Sequence, residues 1–152
     1  MIRWSVDRDA DMLALVFHAA VRDGPSPYSD SQRQAWSPEP RSGAPWSARL
    51  AALETAVAEE DGALLGFMSL EPPDYIDLAF ILPEARGRGL FRALYDAIEA
   101  RAIDLGAARL RVHASLMAEP AFQAMGFRVI QRERIERACQ MLPRADMEKL
   151  LR

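Results

Sequence analysis

A single cysteine, Cys139, stands among the 152 residues of the chain. No intrachain disulfide can form and a zinc site of clustered thiolates is excluded, so a reducing cytoplasm is the expected setting. Lysine is equally scarce. Of 19 basic side chains only Lys149 is a lysine, which leaves a phosphate loop ending in Gly-Lys-Ser or Gly-Lys-Thr without its cation. Positive charge is not in excess either: the formal net charge is -3, the wrong sign for a nucleic-acid partner. Apolar runs are broken by Glu, Asp or Arg well short of the roughly 18 residues that a membrane span needs. Asp7, Arg8 and Asp9 stand where a leader peptide would need its apolar core. The expectation is a chain that neither spans a membrane nor is exported.

What is present is apolar side chain, 50% of the residues, enough for one core. No internal repeat or boundary interrupts it, and one domain over 1–152 is expected. Ile2 to Val6 alternates like a short edge strand, with Asp7 placed as an N-cap. Met12, Leu13, Val16, Phe17, Ala20 and Val21 then mark the buried stripe of a helix that ends before Gly24-Pro25. His18 lies beside that stripe and reads as a packing or surface residue. Ser29 and Gln32 form a capping box for a short helix that carries Tyr28 at its entrance and Trp36 near its end, which reads either as a lid or as a long connection stapled onto the core by its two aromatics. A further helical segment over 44–53 puts Trp46 and Leu50 on one face.

Thr55 to Leu70 reads as a hairpin around Asp61-Gly62. Tyr75 to Leu82 is a nearly continuous apolar run, expected as a central strand covered on both faces, with Asp77 as its one interruption. Gly89 to Leu105 carries the strongest helical periodicity, stopped by Gly106. Arg109 to Ser115 alternates again, so strand, helix and strand imply a parallel crossover. A short helix over 119–125, a strand from Phe127 to about Glu136 and a last strand over 140–150 complete the chain.

The segment Arg86-Gly87-Arg88-Gly89-Leu90-Phe91 joins the buried strand to the strongest helix. Glycine admits close approach of a ligand to the backbone, and unpaired amides at a helix N-terminus bind phosphate oxygens, with Arg86 and Arg88 adding charge. The competing reading of these residues is an ordinary exposed turn.

At this point the chain resembles the GNAT superfamily of acetyl-CoA-dependent N-acetyltransferases, whose pyrophosphate motif runs Arg/Gln-x-x-Gly-x-Gly/Ala; Arg86, Gly89 and Phe91 take those positions. The likeness extends to the opening Ile-Arg strand, the strand ending in Pro83, the long helix and the closing pair Gly126-Phe127. Tyr28-Ser29 with Gln32, Ala35-Trp36, Val112-His113-Ala114-Ser115 and Met147-Glu148-Lys149 resemble its YafP-type bacterial branch.

The resemblance implies an α/β (α+β) fold: a mixed sheet of six to seven strands flanked by helices, with a V-shaped split between the central parallel strands. Acetyl-CoA is implied as co-substrate with no metal, its pantetheine held by Phe80, Ile81 and Leu82, and its pyrophosphate by Arg86, Gly87, Arg88, Gly89, Leu90 and Phe91. Met117 and Phe122 complete that set, and Tyr28, Gln32 and Trp36 are the implied acceptor contacts.

Three positions depart from the pattern. Phe91 replaces a small residue. Met117 stands where many relatives carry Asn. Phe122 occupies the place of the tyrosine that protonates the departing thiolate. Tyr75, Tyr95, His113 and Ser115 are candidate substitutes, His113 is a candidate base, and Asp77 is the rival base. The structural alternative for Asp77 is an ion pair with Arg111. The expected activity is transfer of an acetyl group to a primary amine of a small molecule or peptide in a ternary complex. Its rivals are an acyl-CoA-binding module without turnover and a scaffold whose 86–91 loop is only a turn. A homodimer paired through edge strands is a further possibility of the fold.

Overall fold

The computed structural model describes residues 1–151; Arg152, the last residue of the expected domain, lies outside them. In chain order the elements are β1 (Ile2–Trp4), α1 (Ala10–Arg22), α2 (Asp30–Trp36), α3 (Gly43–Ala51), β2 (Glu54–Glu60), β3 (Ala63–Glu71), β4 (Tyr75–Ile81), α4 (Leu90–Asp104), β5 (Arg109–Ser115), α5 (Glu119–Ala124), β6 (Arg128–Arg137) and β7 (Gln140–Leu150). The seven strands form one sheet in the order β1-β2-β3-β4-β5-β7-β6. Only β4 and β5 run parallel, joined by the α4 crossover.

The expected hairpin forms because Asp61 and Gly62 both take positive φ, 51° and 81°, as a two-residue turn between twisted strands requires. One face of the sheet packs Leu94, Tyr95 and Ile98 of α4 against Met68, Leu110 and Met147. The other packs Leu13, Val16 and Phe17 of α1 and Trp46 of α3 against Val57, Phe67 and Leu78. Two details of the α1 region differ from expectation. Asp7 is not the cap: Asp7–Asp9 is a 3₁₀ turn, and it is the Asp9 carboxylate that accepts the Val6 N–H at 2.8 Å while pairing with Arg3 at 2.9 Å. Met12 is exposed and Ala14 takes a place in the buried stripe.

The central strand also departs from the expected run. Ser69 of β3 faces Leu78 and Leu70 faces Ile76, so Asp77 is the extra residue of a β-bulge. The bulge shifts the facing of the strand: Ile76 belongs to the α4 core, whereas Leu78 belongs to the α1 core. Beyond it β4 is not covered on both faces, and Ala79, Phe80 and Ile81 are only half-buried. The cause is the neighbouring strand. β4 pairs with β5 only at Tyr75↔Arg111 and Ile76↔Val112, after which the two separate and the sheet splits open.

Candidate functional site

Two cavities occupy the split. The larger, about 610 Å³, runs from the open edge of β4 to the start of α4 and is walled on its other side by Ser115 to Ala118 and α5. Its upper rim is the loop before α4. Gly87 and Gly89 both have φ of 79°, a backbone that glycine alone adopts at little cost, and a Cβ on either would meet nothing within 4 Å. The first bond of the helix runs from the Ala93 N–H to the Gly89 carbonyl at 3.2 Å, and no side chain caps this end. The N–H groups of Leu90, Phe91 and Arg92 therefore point out of the helix end with its partial positive charge. The Phe91 ring turns toward the core, edge-on to Phe122 at 4.9 Å, and leaves its amide accessible.

The expected side-chain charges are disposed differently. Arg86 lines the cavity, but its guanidinium bonds the carbonyl of Ala20 at 3.1 Å, and burial lowers its pKa. Arg88 bends back to the Glu84 carbonyl and sits 3.9 Å from Glu60. Arg92, which sequence reasoning missed, is an exposed cation lining the cavity; its place in the first turn of α4 was the available signal.

The backbone of β4 also corrects the expectation for Phe80 and Leu82. The Leu82 N–H donates to the Leu65 carbonyl at 2.8 Å, so by strand alternation Phe80 and Leu82 turn their polar groups to β3, and Ala79 and Ile81 present theirs to the opening. Leu82 does not line the cavity, whereas Ala79, Phe80, Ile81 and Met117 do.

The smaller cavity, about 240 Å³, lies where β4 and β5 begin to part. Here Tyr75 Oη and His113 Nδ1 are 2.6 Å apart. His113 Nε2 faces Glu133 Oε1 at 3.6 Å, and that oxygen is bonded by Arg144 Nε at 2.6 Å. The ring proton is best held on Nε2 beside the carboxylate, which leaves Nδ1 to accept the hydrogen bond from Tyr75. Burial, with Asp77 nearby, pushes the Tyr75 phenol above its usual range, so it keeps its proton. Asp77 is paired, but with Arg49 of α3 at 3.0 Å; Arg111 instead lies 3.8 Å from Asp146.

The three expected acceptor contacts fare differently. Trp36 lines both cavities, edge-on to Phe17 and Tyr28 and tilted against Phe80. Tyr28 lines the smaller one with its ring, while its hydroxyl is committed: it donates to the Pro143 carbonyl at 2.6 Å and accepts from the Leu116 N–H at 2.9 Å. Gln32 faces neither cavity. Its Oε1 closes the capping box with the Ser29 N–H, and its Nε2 donates to the Met141 carbonyl at 2.8 Å. His18 is a packing residue bonded to Ser37 at 2.7 Å.

Trp36, Ala79, Phe80, Ser115 and Ala118 line both cavities and mark their junction, and Ser115 supplies the one side-chain hydroxyl among them. Phe122 is buried, lines the smaller cavity rather than the larger, and packs between Phe91 and Phe127. Tyr95 is removed from both cavities: it lies in the α4 core with its ring against Phe127, so it is no donor to this site.

The acetyltransferase (GNAT) domain family matches residues 26–151. The chain is 30% identical over 125 residues, 82% of its length and 78% of the relative's, to the uncharacterised N-acetyltransferase YafP of Escherichia coli K12. The solved structure of the GCN5-related N-acetyltransferase "Aminotransferase, Class-II" from Rhodopseudomonas palustris superposes with a TM-score of 0.90 at 32% identity, covering 99% of this chain and 95% of that one. The PaiA N-acetyltransferase of Thermoplasma acidophilum, solved with coenzyme A, shares the fold at a TM-score of 0.71 and 17% identity, each chain covered to 99%. The chain belongs to the GNAT acetyltransferase family.

Proposed function

With that membership as premise, we propose that the chain transfers an acetyl group from acetyl-CoA to the primary amine of a small molecule. The observation that carries this reading is the meeting of the two cavities at Ala79, Phe80 and Ser115, with an amide cradle at the far end of one and the Tyr75–His113 pair in the other.

The residues fit the co-substrate. Outward N–H groups of Leu90, Phe91 and Arg92, over glycines that leave the approach open, suit a pyrophosphate, and Arg92 adds a charge. The Ala79 and Ile81 backbone groups suit the amide-bearing arm that follows. Acetyl-CoA, when bound, supplies the thioester that the amine attacks. The chain's contribution is to bring amine and thioester together at the junction and to handle one proton. The acceptor attacks as the free amine, its ammonium proton having passed to water; Tyr75 Oη then takes the remaining proton from the attacking nitrogen as its own passes to His113 Nδ1, and Glu133 offsets the imidazolium charge. Reversing the shift returns the proton to the leaving sulfur, so Phe122 has no proton to give and none is asked of it. Ser115 Oγ accepts from the Ala118 N–H at 3.2 Å and, in this reading, donates its own proton to the thioester carbonyl oxygen at the junction. The same reading has the enzyme act in the cytoplasm, in keeping with an exposed, unpaired Cys139.

The test is release of free thiol from acetyl-CoA in the presence of a broad panel of primary amines. Amine-dependent release supports transfer. Tight acetyl-CoA binding with no release for any amine favours the second reading, a binding module, to which the hydroxyl-free Phe122 points.

A further inference from the structure

The lining of the smaller cavity, which holds Tyr75 and His113, is rich in arginine for a chain of net charge -3. Arg41, Arg49, Arg137 and Arg144 all line it. Asp77 offsets Arg49 at 3.0 Å, and Glu133 offsets Arg144 at 2.6 Å. Arg41 and Arg137 have no carboxylate within 4 Å among the described residues. Arg41 lies over the Phe17 ring, 4.4 Å from its centre, and donates to the Trp36 carbonyl at 3.1 Å; Arg137 bonds only the Glu136 carbonyl, at 3.2 Å. Arg41 is half-buried, and both desolvation and the proximity of Arg49 and Arg137 weaken its hold on its proton.

Two guanidinium groups without a carboxylate partner leave the cavity with a surplus of positive charge, least screened at the half-buried Arg41. The same surplus repels a simple amine, which enters water as an ammonium. It attracts an amine that brings its own anion. The volume, about 240 Å³, suits a small molecule better than a polypeptide.

We infer that the acceptor of the proposed transfer carries a carboxylate beside its amine, received by Arg41 and Arg137, with the amine directed to Tyr75 and His113. The inference rests on the transfer reading and narrows its substrate class to amino-acid-type zwitterions. Guanidinium groups suit this role because their planar fork accepts a carboxylate in two parallel hydrogen bonds.

The test has two stages. Calorimetric titration with acetyl-CoA comes first, and absence of binding overturns the transfer reading and this inference together. Thiol release is then measured on matched sets that differ only at the anion: an α-amino acid, its amide and its decarboxylated amine, for instance phenylalanine, phenylalaninamide and phenethylamine, and glutamate with its counterparts. The expected result is a kcat/KM about 10- to 100-fold higher for the acid, the scale of a charge-assisted hydrogen bond. Arg137→Gln, at an exposed position, and Arg41→Gln are each expected to raise KM for the acid about 10-fold and to collapse the preference toward one. Arg137→Lys is expected to recover part of it. Acetyl-CoA binding with equal or better turnover of the uncharged amines overturns this inference and leaves the transfer reading standing, as does a preference for the acid that survives both glutamine variants. Binding without turnover of any amine overturns both.

Discussion

Tyr75 Oη lies 2.6 Å from His113 Nδ1 across the only stretch where β4 and β5 are paired. The contact is a consequence of register. Tyr75 stands opposite Arg111, so His113, two residues on, is its diagonal neighbour on the same face, and Glu133 completes the line from β6. Strands that part immediately afterwards leave this pair at the head of the opening.

If the pair handles the proton, Tyr75→Phe and His113→Gln each lower kcat by about 10² to 10⁴ while acetyl-CoA affinity stays near wild type. Because burial raises the Tyr75 pKa, the protonated phenol persists above the ordinary tyrosine value of about 10, so no loss of activity from its ionisation is expected at or below that pH. Steady-state kinetics against pH, paired with calorimetry, check both statements; a kcat unaffected by either substitution contradicts the role.

Ser115→Ala removes the hydroxyl at the junction of the two cavities. The Ala118 N–H keeps the Ser115 carbonyl as acceptor at 3.1 Å, so the fold is spared. A fall in kcat of about 10-fold is expected, the worth of roughly one hydrogen bond, with an unchanged melting temperature.

Tyr28→Phe leaves the Pro143 carbonyl and the Leu116 N–H without their partner. A loss of about 1–3 kcal/mol is expected from urea unfolding, the usual range for a stranded buried polar group. A change within about 0.5 kcal/mol, as for an ordinary surface substitution, contradicts the assignment of this hydroxyl as the tie between the α2 entrance and the head of the cleft.

Hydrogen bonds from Arg3 hold the Asp9 carboxyl below its usual pKa, and the Val6 N–H adds to them. A depressed carboxyl contributes stability that is present above its unfolded pKa, about 3.9, and lost as pH falls through the folded value. Asp9→Asn is therefore expected to cost about 1.5–3 kcal/mol at pH 7, with the gap to wild type closing as the pH drops below about 4. Thermal melts of both proteins across that range measure it.

Much of this arrangement was legible in the chain. Asp61-Gly62 announced the hairpin, the spacing from Leu90 to Ala102 announced α4, and Gly87 and Gly89 between strand and helix announced the open turn ahead of it. The losses have physical causes. A bulge at Asp77 leaves no trace in an apolar run, so the change of facing within β4, and with it the choice of Ala79 and Ile81 over Phe80 and Leu82, was hidden. Gln32 was read correctly as half of a capping box, but a side chain spent on a cap and on Met141 is not free for a ligand. The partner of Asp77 comes from α3, 28 residues earlier, where no local pattern points. Glu133 sits in the alternating run Arg132-Glu133-Arg134, which reads as a solvated edge until β7 inserts between β5 and β6 and brings it to His113.

The most direct test of the account is calorimetric titration of acetyl-CoA into the wild type and into Gly89→Trp, with the fold of the variant checked by circular dichroism. The account requires saturable binding in the micromolar range by the wild type and its loss in a folded Gly89→Trp, where an indole would stand in the open approach to the Leu90, Phe91 and Arg92 amides. No saturable binding by the wild type, or equal binding by the folded variant, would contradict it.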